Sequence, residues 1–140
     1  MFGWLMWFGL HLLAGAVIVS TPQDLALIDA RKGLNMFRKV NVPLLGIIEN
    51  MSHFLCTECG ARHEIFGNGG ARAEAAKLGV PFLGEVPLEM AIRATSDEGT
   101  PIVASQPASP HAAHYGAIAG AVLQTLERNT PKAGPKIIVE

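Results

Sequence analysis

Three short apolar segments that alternate with helix-like segments constrain the fold of this chain most strongly. They span residues 15–20, 44–48 and 80–86, and each borders a proline or glycine turn. Strands that alternate with helices favour an α/β fold with a mainly parallel sheet and flanking helices. Ligands of such sheets bind at the carboxyl ends of the strands. We therefore expect the ends of these segments to lie along one edge of the sheet.

The first helix follows residue 20. Thr21 is expected to be its N-cap, with Pro22 at the first helical position. Four apolar residues can share its buried face: Leu25, Ile28, Leu34 and Phe37. Pro43 ends this helical pattern, because it pushes Val42 out of the α region.

Further elements follow the second strand. We expect helices over 71–78, closed by Gly79, and around 88–96, then a brief extended piece at Ile102 and Val103. Ser109 should cap a last helix with Pro110 in its first turn. The apolar stripe expected for that helix is Ile118, Val122, Leu123 and Leu126.

Charge and composition exclude one function class. The 140 residues carry a net charge of −1, and only 16% of them are charged. Nucleic-acid binding would require a basic stripe, so we do not expect a nucleic-acid partner. The apolar content of 49% indicates an ordered globular chain.

The two ends of the chain differ from the rest. Residues 1–20 have no charged side chain, and about 20 apolar residues can span a bilayer. No Lys or Arg precedes Arg31, however, so the basic flank of a membrane or export segment is missing. We interpret 1–14 as an atypical apolar segment, do not expect a membrane role, and expect 129–140 to be a mobile tail.

The sequence Cys56-Thr57-Glu58-Cys59-Gly60 contains both cysteines of the chain. A turn at this spacing points two thiols at one place, as metal sites and redox pairs require. His53 and His63 could add two zinc ligands, and from the spacing alone a zinc site and an iron–sulfur cluster are equally good interpretations. A thioredoxin-like pair is less favoured, because the glycine after Cys59 indicates a turn instead of a helix start.

Several long strings resemble the Mrp/ApbC family of iron–sulfur P-loop ATPases of the deviant Walker type. They are STPQDLALIDARKG, NVPLLGIIENMSHFLCTECG, HEIFGNGGARAEAAKLGVPFLGEVPLEMAIR and DEGTPIVASQP, and together they cover about residues 15–126. The resemblance implies that 15–128 form the C-terminal part of an Mrp-like P-loop NTPase domain. It also implies a partial fold that lacks the N-terminal phosphate-loop half.

The residues needed for phosphate chemistry are absent from these strings. No G-x-x-x-x-G-K-[ST] motif occurs, and the loop at residues 67–70 (GNGG) lacks the lysine and the magnesium-binding hydroxyl. We interpret this loop as a plain turn. The family is an ATPase, but we do not expect this chain alone to hydrolyse ATP.

The resemblance also implies site residues. Cys56 and Cys59 match the family's C-x-x-C, which is thought to hold a [4Fe–4S] cluster between two subunits; Thr57 replaces the usual proline. Asn50 matches an asparagine that binds adenine in related folds, and Pro87 and Leu88 would border the base. An alternative role for Asn50 is to close the turn after its strand.

The expected function is therefore that of an iron–sulfur cluster carrier. It would act in the cytoplasm as a homodimer and pass its cluster to apo iron–sulfur proteins. The alternative is a zinc-binding C-x-x-C module without enzymatic activity. We expect His53 and His63 to be surface loop residues, and interpret Arg93, His111 and His114 as solvated helix residues.

Overall fold

The structure is a computed structural model that describes residues 13–129. The predicted atypical segment 1–14 and the predicted tail 129–140 lie outside these residues, except for 13, 14 and 129. The strands are β1 (Ala16–Ser20), β2 (Leu44–Asn50), β3 (Phe54–Leu55), β4 (Arg62–His63) and β5 (Phe82–Val86). The helices are α1 (Asp24–Lys39), α2 (Gly70–Leu78), α3 (Met90–Asp97), α4 (Ile102–Ser105) and α5 (Pro110–Asn129).

A three-stranded parallel sheet in the order β1-β2-β5 forms the centre of the described chain. Ser20 lies beside Glu49, and Asn50 lies beside Val86, so the carboxyl ends of the strands meet at one edge. The expected α/β fold with a parallel sheet and flanking helices is confirmed. The short strands β3 and β4 form a separate antiparallel hairpin after β2.

The main core lies where α1 and α2 pack on the sheet. Its buried members are Ile18, Leu27, Leu34, Ile47, Ala71 and Ala75. Helix α5 packs against β5, β2 and α4, where Ile118 approaches Gly84. An ion pair between the exposed Arg31 and the buried Glu74 joins α1 to α2.

Helix α1 begins later than the sequence predicted. Its N-cap is Gln23, and the Thr21 hydroxyl donates to the Gln23 side-chain oxygen at 3.1 Å instead of capping the helix. Pro22 is buried, and its carbonyl faces Gly70, where an added Cβ would lie only 2.5 Å away. Pro22 thus packs on the glycine loop instead of occupying the first helical position.

Some predicted apolar faces are wrong. Leu25 is 76% exposed and Ile28 is 42% exposed, whereas Leu27 is buried in their place. Leu123 is 60% exposed on α5, although Ile118 is buried as predicted. Ile102 and Val103 begin the short helix α4 and are not extended.

The predicted ends of two helices are confirmed. Gly79 follows α2 with φ +65°, the left-handed conformation that closes a helix. The Ser109 hydroxyl accepts the Ala112 N–H at 3.1 Å and so caps α5. Within residues 13–129, no helix has the length and hydropathy needed to cross a membrane.

Candidate metal centre

Cys56 and Cys59 lie in the turn between β3 and β4. The Cys56 N–H donates to the Ala61 carbonyl at 2.9 Å, and the Gly60 N–H donates to the Cys56 carbonyl at 2.8 Å. Gly60 has φ +72°, which favours glycine at this position. The turn expected from the glycine after Cys59 is therefore present, and neither thiol starts a helix.

The two thiols of this turn are free and accessible. Cys56 is half-buried and Cys59 is exposed. The backbone N–H groups of Cys59 and Glu58 hydrogen-bond to the Cys56 sulfur, and together with the Cys59 side chain they hold the pKa of the Cys56 thiol below its ordinary value. A thiolate is the form that binds iron or zinc, so the turn prepares Cys56 as a metal ligand.

His53 is not the surface residue that the sequence predicted. It is buried, and its Nδ1 lies 3.0 Å from the Ser52 hydroxyl oxygen. Burial, followed by the positive charge of Arg62, lowers the pKa of His53. His63 is exposed on β4, as predicted, with its ring 6.4 Å from that of Phe54.

The four possible zinc ligands of one chain are not assembled as a set. Across residues 13–129, no three His, Cys, Asp or Glu side chains come together as a metal site requires. The cysteine pair thus provides two ligands, and a tetrahedral zinc site or a four-iron cluster needs more.

The hairpin formed by β3, β4 and the turn with Cys56 and Cys59 is called the cysteine hairpin below. The segment between β2 and this hairpin is hydrogen-bonded to the end of β5 and the residues after it. The Ser52 N–H donates to the Val86 carbonyl at 3.1 Å, and the Leu88 N–H donates to the His53 carbonyl at 2.7 Å. Ser52 is fully buried. These bonds fix the base of the hairpin relative to the sheet.

Glu49 lies next to Asn50 at the end of β2, and sequence reasoning did not single it out. It is fully buried, and its carboxylate accepts the Gly69 N–H at 3.1 Å and the Ala71 N–H at 2.8 Å. The glycine loop at 67–70 and the first turn of α2 therefore donate these N–H groups to a side chain of the protein itself. Its interpretation as a structural turn agrees with this geometry. The sequence feature that could have pointed to Glu49 is a single carboxylate at the end of an otherwise apolar strand.

Asn50 borders a cavity of about 500 Å³ beside β1 and α1. Its side-chain oxygen accepts the Met51 N–H at 3.0 Å, and Met51 has φ +55°. The turn-closing role considered for Asn50 is thus present. Its contact with adenine stays a prediction.

Pro87 and Leu88 follow β5 beside Asn50, but the three do not line one cavity. Pro87 is buried, and Leu88 borders a separate apolar cleft of about 240 Å³ together with Phe54 and Ile65. Arg93 borders the same cleft, is exposed as predicted, and lies 3.8 Å from Asp97. His111 and His114 lie in the first turns of α5 and are half-buried instead of fully solvated.

Comparisons with known proteins find relatives that are named as iron–sulfur cluster carrier or transfer proteins. The family model that describes the ParA group as NUBPL iron-transfer P-loop NTPases matches residues 7–123. The iron–sulfur cluster transfer protein NUBPL of Dictyostelium discoideum is 50% identical over 132 residues, which are 91% of this chain and 41% of that protein. The iron–sulfur cluster carrier protein of Escherichia coli K12 is 50% identical over 114 residues, 81% of this chain and 31% of that protein.

Solved structures agree with the fold. A nucleotide-binding protein from Archaeoglobus fulgidus in complex with ADP matches with a TM-score of 0.55 and 40% identity, over 62% of this chain and 36% of that one. The cell division ATPase MinD of Pyrococcus furiosus matches with a TM-score of 0.62 at 23% identity, over 79% of this chain and 43% of that one.

The chain thus spans 41% or less of the length of these two curated relatives. The family model covers most of the chain, and the residues that carry the match include the cysteine hairpin. The chain therefore belongs to the Mrp/ApbC family, within the group described as NUBPL iron-transfer P-loop NTPases.

Proposed function

We propose that this chain carries an iron–sulfur cluster on Cys56 and Cys59 and transfers it to apo-proteins. The observation that carries the proposal is the exposed turn with two free thiols, one of which is stabilised as a thiolate by backbone N–H groups. The names of the relatives, cluster carrier and cluster transfer protein, support the same role.

The cargo is a [4Fe–4S] cluster held by two copies of the chain. Such clusters use four cysteine ligands, and each copy supplies two. A two-fold dimer brings two identical turns together and completes the set. The absence of a third ligand near the thiols within residues 13–129 favours this arrangement over a single-chain zinc module.

Transfer proceeds by exchange of thiolate ligands. An acceptor cysteine thiol forms a bond to iron as the bond between iron and Cys59 or Cys56 breaks, and the proton of that thiol passes to the released thiolate. No electron is gained or lost in this exchange. The exposed position of Cys59 gives the acceptor access, and the stabilised Cys56 thiolate is a good leaving group.

Nucleotide has a secondary role in this proposal. Asn50 borders the 500 Å³ cavity and supplies a contact for adenine there, whereas Pro87 is buried and Leu88 borders the separate apolar cleft. ATP binds this chain weakly and is not hydrolysed by it alone, since the phosphate-binding lysine motif is absent from its 140 residues.

The partners proposed are a second copy of the chain and apo iron–sulfur proteins. A cytoplasmic location stays a prediction, because an Arabidopsis thaliana relative that is 54% identical over 115 residues is named as mitochondrial. Zinc on the same two thiols is the competing outcome, since zinc binds such sites more tightly than ferrous iron.

A transfer assay tests the proposal. The chain is reconstituted anaerobically, mixed with the apo form of an enzyme that requires a four-iron cluster, and the recovery of that enzyme's activity is followed. Recovery faster than with free iron and sulfide supports a carrier. Recovery no faster than this, or equal recovery with Cys56→Ser/Cys59→Ser, contradicts it.

A further inference from the structure

An apolar cleft lies beside the cysteine hairpin and has no role in the function proposed so far. Its volume is about 240 Å³, and its lining residues are Phe54, Ile65, Leu88, Glu89, Met90 and Arg93. Phe54 belongs to β3 and Ile65 follows β4, so one wall is the hairpin itself. The other wall is the start of α3 and the residues before it.

Two large apolar side chains at this cleft are open to water. Met90 is 66% exposed and Ile65 is 56% exposed. Single exposed apolar residues are ordinary, but here they join with Phe54 and Leu88 around one depression. Together these side chains form a small apolar surface that another protein can cover.

The position of the cleft points to a second copy as the occupant. If two chains share a cluster, their symmetry axis passes close to Cys56 and Cys59. Phe54 begins β3 and stands two residues before Cys56, so the two Cα atoms are at most about 7 Å apart. The cleft therefore lies near that axis.

The charges at the cleft suit a contact between identical surfaces. Glu89 is the N-cap of α3 and Arg93 lies in its first turn, and both border the cleft. In a two-fold interface, residue i of one copy contacts residue j of the other, and the reverse holds as well. Glu89 of each copy can thus pair with Arg93 of the other without like charges meeting.

We propose that this cleft is the apolar anchor of a two-fold dimer, in which Met90 and Ile65 of each copy pack into the cleft of the other. The proposal rests on the proposed function, because the shared cluster places the axis. In the dimer, the cleft supplies contact area that the two cysteine pairs alone do not provide. Methionine suits this role because its flexible side chain fills irregular gaps.

The test measures dimerisation of the reconstituted full chain by sedimentation, together with iron content. Met90→Glu should weaken dimerisation at least about tenfold, because it places a charge in the apolar contact. The matched control is Leu123→Glu, which changes a residue of similar exposure on α5 and should leave dimerisation unchanged. Far-UV circular dichroism confirms that both variants are folded.

A second set of variants reverses the charges. Glu89→Arg and Arg93→Glu should each weaken the dimer several-fold, because like charges then face each other across the axis. The double variant Glu89→Arg/Arg93→Glu should restore much of the loss. A variant that has lost its fold could not regain dimerisation in this way. Restored dimerisation in the double variant would therefore show that residues 89 and 93 contact each other between copies.

The outcomes separate this proposal from the proposed function. If the wild-type chain is a dimer with a cluster and Met90→Glu leaves dimerisation unchanged, the anchor alone is overturned. If Met90→Glu slows cluster transfer without weakening the dimer, the cleft binds the acceptor protein instead, and the anchor is again overturned. A dimer without iron that Met90→Glu disrupts supports the anchor and contradicts the carrier. A monomer without iron contradicts both.

Discussion

The carboxylate of Glu49 accepts the backbone N–H of Ala71 at 2.8 Å, across the junction between the end of β2 and the start of α2. Glu49 is the next-to-last residue of β2, so hydrogen bonds join the end of this strand to the glycine loop and the start of α2. The negative side chain also lies at the positive end of the α2 dipole. This contact makes the glycine loop part of the scaffold that holds the site.

Removal of this carboxylate should destabilise the fold. Glu49→Ala leaves the Gly69 and Ala71 N–H groups without their buried acceptor, which should lower the free energy of unfolding by about 2–4 kcal/mol. Glu49→Gln keeps one acceptor and should cost less. Urea unfolding measures both, with the exposed Glu98→Ala as the control that should change stability by about 0.5 kcal/mol or less. An equally small change in Glu49→Ala would contradict the role given to this carboxylate.

Two glycine substitutions should have opposite effects. Gly70→Ala places a Cβ about 2.5 Å from the Pro22 carbonyl oxygen and should lower the free energy of unfolding by about 1–3 kcal/mol. Gly116 lies within α5 with nothing within 4 Å of an added Cβ, so Gly116→Ala should raise it by about 0.5–1 kcal/mol. Thermal unfolding of the two variants provides the comparison. Equal effects would mean that Pro22 does not pack on the glycine loop as described.

The ion pair between Arg31 and Glu74 should contribute more than a surface pair. Arg31→Ala leaves the buried Glu74 carboxylate without its partner and should cost about 1–3 kcal/mol, a value reduced by the partial exposure of Arg31. The exposed pair of Lys32 and Asp29 serves as the control, and Lys32→Ala should cost about 0.5 kcal/mol or less. Equal losses in the two variants, measured by urea unfolding, would contradict this difference.

Burial of His53 should make stability depend on pH. Burial and the charge of Arg62 lower its pKa in the folded chain, with smaller opposing effects from Glu85 and Glu89 and a further lowering by His114. The unfolded chain therefore takes up a proton on His53 at about pH 6.5, before the folded chain does. Stability is complete above that pH and falls as the pH drops below it.

Unfolding in urea between pH 7.5 and 5.5 measures this dependence. The wild-type chain should lose stability over this range more steeply than His53→Gln, which cannot take up the proton. Identical slopes for the two proteins would show that His53 has the same proton affinity in both states.

The sequence predicted the strands and their common edge well, because apolar runs bounded by proline and glycine are local signals. The ends at Gly79 and Ser109 were predictable for the same reason. The buried face of α1 was not, since Leu25, Leu27 and Ile28 are all apolar and only packing against α2 selects Leu27. Long-range contacts decide such choices.

In the candidate site, too, the features set by local sequence were predictable and those set by long-range contacts were not. The spacing of Cys56 and Cys59 predicted a turn that presents two thiols, and the turn is present. The burial of His53 depends on the end of β5, which approaches through the Leu88 N–H and lies 35 residues further along the chain. Nothing local to His53 indicates that contact, so the sequence predicted a surface loop residue where the structure has a buried one.

The central claim is that two copies of this chain hold one cluster on Cys56 and Cys59. The most direct measurement is the iron, sulfide and zinc content of the anaerobically reconstituted protein, with its mass under native conditions, beside Cys56→Ser/Cys59→Ser. The account predicts a dimer with four irons and four sulfides, all lost in the double variant. Zinc at one per chain, with no iron after reconstitution, would contradict it.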